Sequence, residues 1–185
     1  MNNRKVYISG EIVPEVDAKI SIFDSAVLLG DTVTESTRTF NFKPFKLDEH
    51  LERLYKSFKL TRIDPQMTIE EMKKVSLELL EINKDNYKAN EDCWLVHNIS
   101  RGHSITGGNP ALQVSKPTVM IYTQPMNLVS WAPFYTKGCH AVTPPTRMVP
   151  SQSLDARIKN RSRLFYTLAE IEAKLVDPDA QSVIL

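Results

Sequence analysis

The chain has few of the residues and patterns on which several classes of protein depend. Two of its 185 residues are cysteine and no CxxC pair occurs, which argues against a disulfide framework or a zinc site. The four histidines lack the spacing of a metal motif, and neither a GxSxG elbow nor a Walker sequence occurs. The formal net charge is +1, so the basic excess of a dedicated nucleic-acid binder is missing.

Long apolar segments are also missing. No apolar run approaches the length of a membrane span, and the chain starts with a strand-like segment rather than an apolar stretch of signal-peptide length. We therefore expect a cytoplasmic protein that binds no metal and has neither nucleic acid nor a membrane as a partner.

The patterns that are present predict a mixed α/β protein of the α+β kind. Apolar residues at helical spacing follow Asp48, and a capping box of Thr68 and Glu71 begins a second helix. Runs of β-branched and apolar residues predict strands near residues 6–13, 32–40, 93–99 and 118–123. A last helix carries Leu164, Leu168, Ile171 and Leu175.

A change in composition divides the chain. Prolines recur after Gln124, so we place a boundary near residues 115–130 and predict domains at 1–120 and 121–185. Ser182–Leu185 looks like the first half of a strand, and a strand usually needs a neighbour and a continuation. We therefore expect the second domain to be incomplete.

Lys159 is the residue with the strongest chemical interest. Arg157, Arg161 and Arg163 surround it in sequence, and a predicted helix follows. Neighbouring cations and a helix N-terminus both favour the neutral amine, which a nucleophilic lysine requires. A solvated basic surface explains the same residues equally well. Arg53 likewise has two interpretations: an exposed helical arginine, or a fork beside His50 that binds phosphate.

Two segments together resemble the class IV, or fold type IV, pyridoxal-phosphate enzymes. The segment from Phe23 to Ser57, "FDSAVLLGDTVTESTRTFNFKPFKLDEHLERLYKS", is similar to the N-terminal signature of that family. The segment 155–173 is similar to its lysine segment. The matching positions of the first segment are Asp24, Gly30-Asp31, Glu35-x-x-Arg38 and His50-x-x-Arg53-Leu-x-x-Ser57.

The resemblance implies a two-domain α/β fold and a homodimer that uses pyridoxal 5'-phosphate. Lys159 would form the Schiff base with this cofactor and move protons, and Arg53 would bind its phosphate. The implied substrates are an amino acid, branched-chain-like by default, and a 2-oxo acid. Arg38, Arg101 and His103 are the candidate contacts for the substrate carboxylate.

Two departures from the family pattern keep alternatives open. Branched-chain aminotransferases have an Asn-Tyr pair where this chain has Arg163-Leu164, which is more similar to the aminodeoxychorismate lyases. The chain also stops before the family's glutamate that pairs with the pyridine nitrogen. An aminotransferase is therefore the first expectation, a lyase-type elimination is the second, and a truncated member with weak or no catalysis is the third.

Overall fold

The computed structural model describes residues 3–88, 91–103 and 116–185, which form two compact units. The first unit contains the described part of Met1–Met126 together with Arg157–Arg161. The second contains Asn127–Ala156 and Ser162–Leu185. The segment that carries Lys159 thus packs with the first unit. The domain limits of 1–120 and 121–185 stay a prediction.

A six-stranded antiparallel sheet forms the centre of the first unit, in the order β2-β1-β6-β5-β3-β4. Its strands are β1 (Lys5–Ile8), β2 (Glu11–Pro14), β3 (Thr32–Phe40), β4 (Lys43–Pro44), β5 (Cys93–Ser100) and β6 (Thr118–Pro125). A short helix α1 (Ser25–Leu28) precedes β3.

Two helices cover one face of this sheet, α2 (Leu47–Thr61) and α3 (Ile69–Asn83). Each turns an apolar stripe inward, and α3 begins with the predicted capping box. Alternate residues of β3, β5 and β6 face the helices because side chains along a strand point to opposite faces. The core contains Leu51, Leu54, Phe58, Met72, Leu79, Val33, Leu95, Ile99, Val119 and Ile121.

The second unit contains three helices and two short strands: α4 (Leu128–Trp131), α5 (Phe134–Lys137), β7 (Ala141–Val142), α6 (Leu164–Val176) and β8 (Ser182–Val183). Strands β7 and β8 pair in parallel. Helix α6 buries Ala169 and Ala173, whereas its predicted apolar stripe stays exposed. Helix α6 lies beside β7 and β8, and the small side chains of Ala169 and Ala173 permit a close approach.

Candidate functional site

The guanidinium of Arg53 on α2 forms a two-pronged ion pair with the carboxylate of Glu35 on β3. Nε of Arg53 donates to Oε2 and Nη2 donates to Oε1, both at 2.6 Å. Two parallel charge-assisted bonds hold a guanidinium in one plane and one direction. The Arg53 side chain is half exposed and Glu35 is fully buried, so the pair joins the core to the surface.

Further donors surround the Glu35 carboxylate. The main-chain amide of Ser36 donates to Oε1 at 2.9 Å, and Nδ1 of His50 lies 3.1 Å from the same oxygen. Burial alone raises the pKa of a carboxyl group, but the hydrogen bonds from Arg53 and Ser36 outweigh burial and hold the pKa of Glu35 below its usual value. The same pairing raises the pKa of Arg53. Both groups are therefore charged at neutral pH.

The main chain at Lys159 is fixed to the strand and helix that carry this pair. The amide of Thr34 donates to the Lys159 carbonyl at 2.8 Å, and the amide of Arg161 donates to the Thr32 carbonyl at 2.9 Å. On its other side, the Lys159 amide donates to Oγ of Ser57 at 3.3 Å. The Ser57 hydroxyl donates in turn to the Arg53 carbonyl. The main chains of Lys159 and Arg53 are thus linked through Ser57, although 106 positions separate the two residues in sequence.

The arginines around Lys159 are distributed differently from the sequence expectation. Arg161 lies on the same extended segment and lines a shallow cavity of about 230 Å³ with Ser36, Trp94, Val96 and Gln124. Arg163 belongs to the second unit, where its guanidinium stacks over the ring of Tyr166. Helix α6 begins only at Leu164.

Arg38 lies on β3 opposite Trp94 of β5, three residues after Glu35. Strand alternation places it on the sheet face that α2 and α3 do not cover. Its guanidinium stacks over the ring of Phe40 at 3.9 Å, and its Nε donates to the Thr39 carbonyl at 3.3 Å.

Arg101 and His103 lie after β5, near α1. Arg101 forms an ion pair of 2.7 Å with Asp31 and donates to the carbonyls of Thr61 and Arg62 at the end of α2. His103 is exposed and contacts the ring of Phe23 edge-on. Residues 104–115, which follow His103 in the sequence, lie outside the described residues.

His97 is a site neighbour that sequence reasoning missed. It pairs with Glu35 across β3 and β5 and is fully buried. Its Nε2 lies 2.8 Å from Oγ of Ser76, whose hydroxyl donates to the Met72 carbonyl. Ser76 therefore accepts from His97, which places the ring proton on Nε2. Burial lowers the pKa of His97 to about 4, so the imidazole is neutral.

Neither a metal cluster nor a membrane helix is found in the described parts of the chain. Within residues 3–88, 91–103 and 116–185, no group of three or more His, Cys, Asp or Glu side chains is arranged to hold a metal ion. None of the helices in these ranges is long and apolar enough to cross a membrane.

Comparison with known proteins identifies the family. The family model of class IV amino-transferases matches residues 32–185. The chain belongs to the class IV aminotransferase family. The match includes β3 with Glu35, α2 with Arg53, and the segment of Lys159, so it confirms the resemblance inferred from the sequence.

Individual relatives of this class IV chain agree. A Methanocaldococcus jannaschii protein, provisionally described as a branched-chain-amino-acid aminotransferase, is 35% identical over 175 residues, which are 95% of this chain and 57% of that protein. D-alanine aminotransferase of Staphylococcus epidermidis strain RP62A is 32% identical over 120 residues, 65% of this chain and 41% of that protein.

A solved structure confirms the predicted fold. The branched-chain amino acid aminotransferase of the organism abbreviated T.th., solved with pyridoxamine 5'-phosphate, superposes with a TM-score of 0.82 at 24% identity. The match covers 100% of this chain and 59% of that one. The chain therefore has the fold type IV architecture and spans little more than half the length of these two branched-chain relatives.

Proposed function

We propose that this chain is the part of a pyridoxal-phosphate-dependent aminotransferase that carries the cofactor lysine and binds the cofactor phosphate. Such an enzyme moves an amino group from an amino acid to a 2-oxo acid. The observation that carries the proposal is the junction at Ser57, which joins the main chain of Lys159 to the α2 turn of Arg53.

The residues at this junction suit pyridoxal 5'-phosphate. Arg53 offers a charged, half-exposed guanidinium, the group that best matches a phosphate, and Lys159 offers the amine that a pyridoxal aldehyde requires. The T.th. structure that shares this fold holds pyridoxamine 5'-phosphate, the amine form of that cofactor. When bound, the cofactor withdraws electrons from the substrate Cα.

The roles of the chain's own residues follow from their positions. Arg53 binds and orients the phosphate, with Glu35 behind its guanidinium. Lys159 would hold the cofactor through Nζ, and the same amine would move a proton from and to the substrate Cα. Two backbone hydrogen bonds to β3 fix the main chain of the lysine segment, so the position of this amine would be set by the sheet.

We propose a branched-chain-like amino acid as substrate, supported by the description of the M. jannaschii relative and by the T.th. structure. Arg38, Arg101 and His103 stay the proposed contacts for its carboxylate. Arg38 has the most donors left for a carboxylate, because among the described residues only its Nε makes a hydrogen bond. Arg101 already binds Asp31 and two carbonyls, which a substrate would have to displace.

Aminodeoxychorismate lyase activity is the second candidate, and the observation that favours it is Arg163-Leu164 in place of Asn-Tyr. A weak or inactive member is the third, because the chain spans 57% of the M. jannaschii relative. Two incubations separate these candidates, one with a branched-chain amino acid and 2-oxoglutarate and one with aminodeoxychorismate. An aminotransferase makes glutamate, a lyase releases pyruvate from aminodeoxychorismate, and an inactive member does neither.

We also propose that the protein is a cytoplasmic homodimer, as the family resemblance implies. Size-exclusion chromatography with light scattering measures the molar mass directly. A mass near twice 21.1 kDa supports the dimer, and a mass near 21.1 kDa contradicts it.

Covalent trapping tests the cofactor assignment. The purified chain is incubated with pyridoxal 5'-phosphate, reduced with borohydride, digested and mapped by mass spectrometry. We expect one phosphopyridoxyl group, on Lys159, and none in a Lys159→Arg variant, which keeps the charge but cannot form the bond. Scattered labelling of surface lysines that persists in Lys159→Arg would contradict the proposal.

A further inference from the structure

We propose that Glu35 is a positioning residue for phosphate recognition: its carboxylate orients the Arg53 guanidinium so that one edge is kept for the phosphate of the cofactor. This inference rests on the proposed function. It assigns a role to Glu35, which is a buried carboxylate without a part in the chemistry proposed for Lys159.

The first observation is how firmly Glu35 itself is held. Its side chain is fully buried, Ser36 donates to it from the main chain, and its strand neighbour His97 is buried and neutral. A buried ionised carboxylate is retained only where charged or polar partners satisfy it. Glu35 therefore presents a rigid negative group, with its negative charge balanced by Arg53.

The second observation is which edge of Arg53 the carboxylate occupies. Glu35 accepts from Nε and Nη2, the side edge of the guanidinium. A guanidinium has five donor hydrogens in a fixed plane. Nη2 also lies 3.4 Å from Nδ1 of His50, so the two hydrogens of Nη1, at the end edge of the group, are the donors left available. Nη1 makes no hydrogen bond with any described residue. A phosphate can thus bind this end edge without displacing Glu35.

The third observation is the exposure of Arg53. Half of its side chain is accessible to solvent, and an unrestrained arginine loses rotamer freedom when a ligand immobilises it. A fork to a rigid carboxylate removes much of that freedom before the ligand arrives. The phosphate then binds a guanidinium that is already oriented.

The negative charge of Glu35 also has an effect that opposes phosphate binding. The negative charge of Glu35 reduces the attraction between Arg53 and a phosphate dianion, so a purely electrostatic view predicts tighter phosphate binding without Glu35. We infer that orientation dominates, because both fork bonds are short and the carboxylate is fully buried. Neutralising Glu35 should therefore weaken the recognition of phosphate.

The experiment measures phosphate preference at Lys159 in the full chain. Lys159 labelling is titrated with pyridoxal 5'-phosphate and, separately, with pyridoxal, each trapped by borohydride. The ratio of the two half-saturating concentrations reports the phosphate contact alone. We expect Glu35→Gln to lower this preference about tenfold, Arg53→Gln to lower it at least as far, and the double variant to lose no more than Arg53→Gln.

Controls separate positioning from loss of folding. Asp24→Asn neutralises another buried carboxylate, which accepts from Ser100, Thr118 and Ala26, and should leave the preference unchanged. If Glu35→Gln does not fold, Glu35→Asp keeps the charge but shortens the reach, and it should also lower the preference.

The outcomes distinguish this inference from the proposed function. An unchanged or increased preference in Glu35→Gln or Glu35→Asp, with normal Lys159 labelling in the wild type, overturns the role of Glu35 alone. Absence of specific Lys159 labelling in the wild type overturns both proposals.

Discussion

The main-chain amide of Lys159 donates to the hydroxyl of Ser57 at 3.3 Å. Ser57 is fully buried, and its own hydrogen is donated to the Arg53 carbonyl four residues earlier in α2. One hydroxyl thus acts as acceptor for the lysine segment and as donor to the helix of the phosphate-binding candidate. Ser57 therefore links the main chains of the two candidate site residues.

Ser57→Ala should loosen the lysine segment. The Lys159 amide would lose its acceptor, and a buried unpaired donor costs about 1–3 kcal/mol. We expect lower stability in urea unfolding and faster hydrogen exchange of the amides in residues 157–161. Thr61→Ala is the matched control, because Thr61 also bonds back to a carbonyl of α2 but does not contact that segment. Equal exchange rates in both variants would contradict the role of Ser57.

His97 should make the stability of the protein sensitive to mild acid. Its pKa is about 4 in the folded chain and about 6.5 when unfolded, so between these values the unfolded state binds the extra proton. Stability therefore falls as the pH drops from 6.5 to 4, by about 3 kcal/mol. Chemical denaturation across this range measures the slope.

His97→Gln should remove most of that slope, because glutamine does not titrate. His140→Gln is the matched comparison, since it makes the same substitution at an exposed histidine, beside Asp177, outside the core. The lowered pKa of Glu35 adds a further loss of stability at still lower pH in all variants that retain it. A slope that survives in His97→Gln would show that another group binds the proton.

Gly102 should not tolerate a side chain. Its φ is +94°, and a Cβ there would overlap the main-chain carbonyl of Lys116. Both the left-handed backbone and the overlap oppose Gly102→Ala, so we expect a loss of about 3 kcal/mol or more. Gly30→Ala provides the comparison, because Gly30 has φ +66° and open space around it. Gly30→Ala should cost only about 1 kcal/mol. Thermal unfolding of the two variants measures both losses of stability. Similar costs would contradict the predicted overlap.

The two cysteines should differ in reactivity. Cys93 is buried in the core, and burial raises the pKa of its thiol to about 11, whereas Cys139 is exposed. Because the thiolate is the reactive form, iodoacetamide at about pH 8 should modify Cys139 in the native chain and Cys93 only after denaturation. Native Cys139→Ser should take up no label; label on Cys93 in that variant would show that the core opens.

Much of the local structure could be predicted from the sequence. Helical periodicity located α2 and α3, and the Thr68–Glu71 box is formed as expected. These features depend on contacts within a few residues. Periodicity also predicted α6, but its apolar stripe is exposed, because periodicity shows which residues share a face and not whether another element covers that face.

The candidate site shows the same division. The sequence by itself determined the family and the helix that carries Arg53, and it made Lys159 and Arg53 the candidate cofactor residues. Only the tertiary structure decided that β3 and Ser57 hold the Lys159 segment, that Glu35 takes one edge of Arg53, and that His97 lies neutral beside Glu35. These contacts join residues 18 to 129 positions apart in sequence, and their formation depends on the order of strands in the sheet, which local patterns do not encode.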